Sequence, residues 1–133
     1  MRYLLTFALV LALAALLLPS CGGGEGGEEA NPQLSLTDTF DQVRAGARLI
    51  MSYDQTANAF TGTVENTTGG PITNVRIEIH LSNGVELGPT PGIDLAAGET
   101  RPVELRVDSE PDGGPFDFWS AHPEVGAQGT GAG

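Results

Sequence analysis

The chain has 133 residues, enough for one small domain and not for two. It carries 17 acidic against 6 basic side chains, a formal net charge of −11, and its arginines are scattered among carboxylates. Without the basic stripe that displaces counterions from a polyphosphate, nucleic-acid binding is excluded, and the only cysteine, Cys21, cannot close an internal disulfide, so the fold must rest on packing.

Arg2 supplies a positive charge ahead of an apolar run over residues 4–18 that only Thr6 interrupts, and Pro19 and Ser20 follow it. This is the pattern of a secretory signal peptide. The run is shorter than the roughly 20 apolar residues of a spanning helix and lacks cationic stop-transfer flanks, so cleavage is expected. Leu18, Pro19, Ser20 and Cys21 then resemble the lipobox of bacterial lipoproteins, with an aliphatic residue at −3, a small one at −1 and cysteine at +1. The resemblance implies cleavage before Cys21, a diacylglyceryl group on its thiol and an extracytoplasmic, membrane-anchored location. Gly22 at +2, where Asp is absent, implies outer-membrane sorting in an envelope with two membranes. Two or more acyl chains anchor stably where one holds only marginally, each buried methylene contributing about 0.8 kcal/mol.

Residues 22–32, GGGEGGEEANP, combine backbone freedom with like charges and offer nothing to bury, so a disordered tether is expected. A calcium-binding tract would need six to eight oxygens in a defined cage, which this stretch does not preorganise.

Beyond the tether, the spacing of Phe40 and Val43, with Asp38 as N-cap and Gly46 as terminator, predicts one short helical turn. The remaining signals are β. Residues 49–53 alternate loosely, and "DQTANA" is a polar connection in which Asp54 and Asn58 fit a turn better than a calcium site. "FTGTVEN" turns Phe60, Gly62 and Val64 to one side. In "NVRIEIHL", Val75, Ile77, Ile79 and Leu81 share one face and Arg76, Glu78 and His80 the other, without exception to period two. "GPTPG" and "LAAGE" are turns, and "RPVELRV" repeats the alternation through Val103, Leu105 and Val107, its outward charges able to pair with those of the earlier strand if the two are neighbours in a sheet. Pro102, which has no N–H, belongs at a strand start or on an edge. Phe116, Phe118 and Trp119 are expected to close the core.

Several short strands, each with one apolar face, need a second sheet to cover that face. The expected fold class is therefore all-β, a small immunoglobulin- or fibronectin-III-like sandwich, with a small barrel as the main alternative. The expected organisation is a signal peptide at 1–20, lipidated Cys21 and tether at 21–35, the sandwich at 36–125 and a flexible tail at 126–133. Residues 60–107 resemble the FxLYD domain of bacterial and archaeal envelope proteins. In that family a strand ending in Gly-x-Val-x-Asn precedes a longer strand and a Phe-x-Leu-Tyr-Asp signature. Gly62, Val64 and Asn66 match, Ile79 stands for the Phe, Leu81 matches, and Ser82 and Asn83 replace the Tyr and Asp. The resemblance implies a fold and a location and carries no catalytic residues.

Little else in the sequence points to chemistry. His80 and His122 occur in neither H-x-H nor H-x₃-H spacing, so no metal ligands are expected, and no nucleophile elbow frames Ser82 or Ser120. Asn66, Thr67 and Thr68 fit a glycosylation sequon, although a lipobox implies a bacterial source, where that machinery is generally absent. The expectation is a non-enzymatic, lipid-anchored envelope module with no cofactor, held to the membrane and meeting an envelope or cell-wall partner. The alternatives are a solute- or metal-binding lipoprotein, which needs a pocket, and a small envelope hydrolase, which needs converging polar groups.

Overall fold

Period-two alternation governs residues 31–126, which are the part of the chain that the computed structural model describes. The expected leader, Cys21, nearly all of the tether and the tail past Gly126 lie outside the described residues. Nine strands follow in order: β1 (Leu34–Ser35), β2 (Thr39–Arg44), β3 (Ala47–Asp54), β4 (Ala59–Asn66), β5 (Ile72–Leu81), β6 (Glu86–Leu87), β7 (Ile93–Leu95), β8 (Thr100–Arg106) and β9 (Phe118–Glu124). One sheet has the order β2-β3-β4-β8; the other runs β1-β9-β5-β6, with β7 also paired to β5. All pairings are antiparallel, and the two sheets pack face to face as a β-sandwich.

The core is the meeting of the alternating apolar faces. Leu49, Met51, Phe60 and Val64 come from one sheet, and Val75, Ile77, Ile79, Leu81, Trp119 and Ala121 from the other. Six of the seven core residues expected on the two most regular segments are buried; Val103, in the middle of edge strand β8, is only partly so. Trp119 packs on Phe60 with ring centroids 4.9 Å apart, and its indole N–H donates to the Ser35 carbonyl at 2.9 Å, which ties β1 to the core. The sandwich thus begins at Leu34, slightly before the expected boundary. Of the three late aromatics, Trp119 is buried and Phe116 partly so. Phe118, the strand neighbour of Trp119, points outward and is 49% exposed.

The expected helical turn is instead β2. Phe40 and Val43 share a face only at helical spacing; in a strand they face opposite ways, and Phe40 is 2% exposed while Val43 is 57% exposed. Asp38 does not cap a helix; its carboxylate accepts from the Ser35 N–H at 2.8 Å, closing a turn. Ala45 and Gly46, at φ 50° and 83°, make the two-residue connection whose twist suits a hairpin.

Two prolines fit where their missing N–H is not needed. Pro102 lies on β8, an edge strand, as expected. Pro123 pairs with Ile77 on β5, but the Ile77 backbone faces away from β9: its N–H donates to Thr90 Oγ1 and its carbonyl accepts from Thr90 N–H. Thr90 thereby continues the ladder between β6 and β7.

Candidate functional site

The outer face of the five-stranded sheet gathers the polar residues that alternate with its core. Arg76, Glu78 and His80 project from β5, and Ser120, His122 and Glu124 from β9. The register sets Arg76 opposite Glu124, Glu78 opposite His122, and His80 opposite Ser120, while β6 brings Glu86 opposite His80. Directly opposed side chains in an antiparallel pair lie within contact distance, and diagonal ones remain within reach of long side chains.

The contacts follow this grid. His122 Nε2 lies 3.2 Å from a Glu78 carboxylate oxygen and 3.5 Å from one of Glu124. His80 Nδ1 lies 3.2 Å from Glu86 Oε1. The two imidazoles stack diagonally, with centroids 5.1 Å apart and planes 16° from parallel. Asn31 Nδ2 comes within 3.4 Å of His122 Nδ1. The His122 and Glu78 side chains are 12% and 18% exposed, His80 35%, so the cluster is sunk into the sheet at one end and open at the other.

Arg76 closes the lower end. Its Nη2 donates to Glu124 at 3.0 Å, and the side chain is only 5% exposed, whereas the alternation places it outward with the solvated charges. Its Nε and Nη1 are buried and have no partner among the described residues. A pairing of β5 charges with those of β8 does not occur, because the two strands belong to different sheets. The β8 arginines pair locally: Arg101 with Glu99 at 2.7 Å and Arg106 with Asp108 at 2.9 Å.

Glu78, His80 and His122 each offer a ligand atom, and these atoms all lie within 4.8 Å of one another. Sequence spacing along one strand gives no sign of this set, because two ligands stand on β5 and the third arrives from β9 through register. The other candidates are taken up structurally. Ser82 Oγ accepts from the N–H groups of Asp117 and Phe118 at 2.9 and 3.2 Å. Asp54 accepts from Thr56 and Ala57 N–H at 2.9 and 3.0 Å, and Asn58 accepts from the Tyr53 hydroxyl at 2.7 Å, which makes this segment the turn expected of it. Asn66 is fully buried and so is not presented as a glycosylation acceptor.

Comparison with protein-family models, with curated proteins and with solved structures returns no match for this chain.

Proposed function

We propose that the protein is a lipid-anchored, extracytoplasmic envelope module that acts by holding contacts and not by turning over a substrate. The observation that carries this reading is the placement of the only cysteine, Cys21, directly after an apolar run and a small residue and directly before a Gly/Glu-rich stretch. A diacylglyceryl thioether there would confine the sandwich to the membrane surface, and the acidic stretch would hold it off the bilayer. Confinement raises the effective concentration of membrane-bound partners, so a weak sandwich surface suffices for binding. The resemblance of residues 60–107 to FxLYD modules of envelope proteins supports the same location.

The test is mass spectrometry of the membrane fraction together with detergent phase partitioning. A mature chain starting at a lipid-modified Cys21, with Cys21→Ser shifting the protein out of the detergent phase, is the expected result. An unmodified Cys21, or a serine variant that stays as membrane-bound as the parent, overturns the reading. Crosslinking of the anchored protein in its own cells then identifies the partner.

A further inference from the structure

We propose that Glu78, His80 and His122 bind a divalent transition-metal ion of the zinc and copper class on the outer face of the β5–β9 sheet. This stands apart from the lipid anchor and does not depend on it. Two imidazoles and a carboxylate are a donor set suited to borderline ions, which nitrogen donors select over calcium and magnesium. Both histidines of the chain take part.

The geometry is close to what such an ion requires. With ligand bonds of about 2.0–2.2 Å in a tetrahedral arrangement, donor atoms lie about 3.4 Å apart. The three donors here already lie within 4.8 Å. Side-chain rotation closes the difference, and His80, the most exposed of the three, has room to make it. The backbone need not move, because Glu78 and His122 are fixed opposite each other by the ladder.

The surroundings fit as well. A ligating histidine needs its second ring nitrogen engaged, so that the tautomer and the ring plane are set. Glu86 engages Nδ1 of His80 at 3.2 Å and leaves its other nitrogen to the ion. The Asn31 amide stands beside Nδ1 of His122 at 3.4 Å, and with its oxygen turned inward it would hold Nδ1–H there and free Nε2. Glu124, 3.5 Å from His122 Nε2, is placed to supply a fourth ligand or to orient a water in that position. Three carboxylates, Glu78, Glu86 and Glu124, surround the pair of imidazoles, and among the described residues Arg76 is the one cation paired with them. The cluster therefore has carboxylate charge left to neutralise a dication.

The experiment uses the full chain carrying Cys21→Ser, purified in detergent, so that the lone thiol cannot contribute. Zn²⁺ is titrated by calorimetry and by chelator competition, with Cu²⁺ in parallel and Ca²⁺ as the control. One ion per chain, bound at micromolar concentration or tighter, is expected. His80→Gln and Glu78→Gln should each weaken binding by tenfold or more while the metal-free melting temperature stays within a few degrees of the parent. Saturating Zn²⁺ should raise the parent's melting temperature and not that of the variants. If a variant fails to fold, the imidazole NMR signals of the parent decide: both rings should shift on adding one equivalent of Zn²⁺. Equal affinity in parent and folded variants, equal affinity for Ca²⁺, binding only at millimolar concentration, or unshifted imidazole signals would each overturn the proposal.

Discussion

The side-chain amide of Asn66, at the end of β4, donates at 3.1 Å to the carbonyl of Leu95, at the end of β7, so a buried hydrogen bond joins the two sheets. The same nitrogen also lies within hydrogen-bond distance of the Gly70 and Ala96 carbonyls at 2.7 and 3.1 Å, and Oδ1 accepts from the N–H and hydroxyl of Thr68 at 2.9 and 2.7 Å. Asn66 is fully buried. A polar group in that position is tolerated only because both ends are satisfied.

Asn66→Ala should therefore destabilise the domain by about 2–4 kcal/mol, since it opens a void and leaves buried carbonyls without a donor. Asn66→Asp keeps the shape and should be at least as damaging, because it sets a carboxylate against carbonyl oxygens. Urea denaturation of both variants checks this. A midpoint within error of the parent in either variant would show that the two sheets do not depend on the bond.

Arg76 and Glu124 should respond unequally to substitution. Arg76 is buried with two nitrogens that have no partner among the described residues, whereas the Glu124 side chain is 40% exposed. Removing Glu124 with alanine leaves a buried, uncompensated guanidinium and should cost about 2–3 kcal/mol, somewhat less than for a wholly buried pair because water reaches the glutamate side. Arg76→Met removes the charge and keeps most of the stem volume, so it should cost less than Glu124→Ala and the double variant should recover most of the loss. A double-variant cycle by thermal denaturation measures this, and additive losses would show that the pair is not coupled.

Much of the sandwich was legible because strand periodicity is a local property. The faces of β5 could be read from Val75, Ile77, Ile79 and Leu81 without knowing their neighbours, and the same holds for Leu105 and Val107 after the GPTPG and LAAGE turns. Two kinds of information were not local. Phe40 and Val43 fit a helical repeat as well as a strand that turns one of them to solvent, and only the pairing of β2 with β3 decides between them. The candidate metal cluster depends on which strand lies beside β5 and in what register. Arg76 and Glu124 stand 48 residues apart, and no spacing rule within one segment reports such a meeting. The outward charges of β5 and β8, the two strongly alternating strands, suit a cross-strand pairing if the strands are neighbours, but β8 lies in the opposite sheet.

The strand assignment of residues 39–44 makes a direct prediction. Phe40→Ala should cost about 3–5 kcal/mol, as for a large aromatic removed from a core. Val43→Thr should stay within about 0.5 kcal/mol, because the side chain faces solvent on an edge strand and threonine suits a β backbone. A helix packed through both residues would bury Val43 as well, and Val43→Thr would then cost about 1–3 kcal/mol for the buried hydroxyl. Equilibrium unfolding of the two single variants distinguishes the cases.

Acid should act on stability through three carboxylates at the surface, Asp41, Glu99 and Asp108. The Arg48 guanidinium, which donates to both Asp41 oxygens at 2.8 Å, holds that carboxyl below its usual range, and Arg106 does the same to Asp108. Glu99 is lowered first by the Ala96 N–H, which donates to it at 2.9 Å, and then by Arg101. A carboxyl whose folded-state pKa lies below its unfolded value makes the folded state bind fewer protons in acid. Its contribution is complete above the unfolded value, near pH 4, and disappears as pH falls through the lower, folded value. These three groups should thus leave the melting temperature flat from pH 5 to 8 and lower it only below about pH 4. All three are at the surface, where water and salt screen them, so Asp41→Asn should lower the neutral plateau only slightly and shrink the loss in acid by about the same small amount. Melting curves of parent and variant from pH 2 to 8 give the answer: the two curves should converge in acid, and a plateau that drops by many degrees at pH 7 would show that the Asp41–Arg48 pair matters more than its exposure allows.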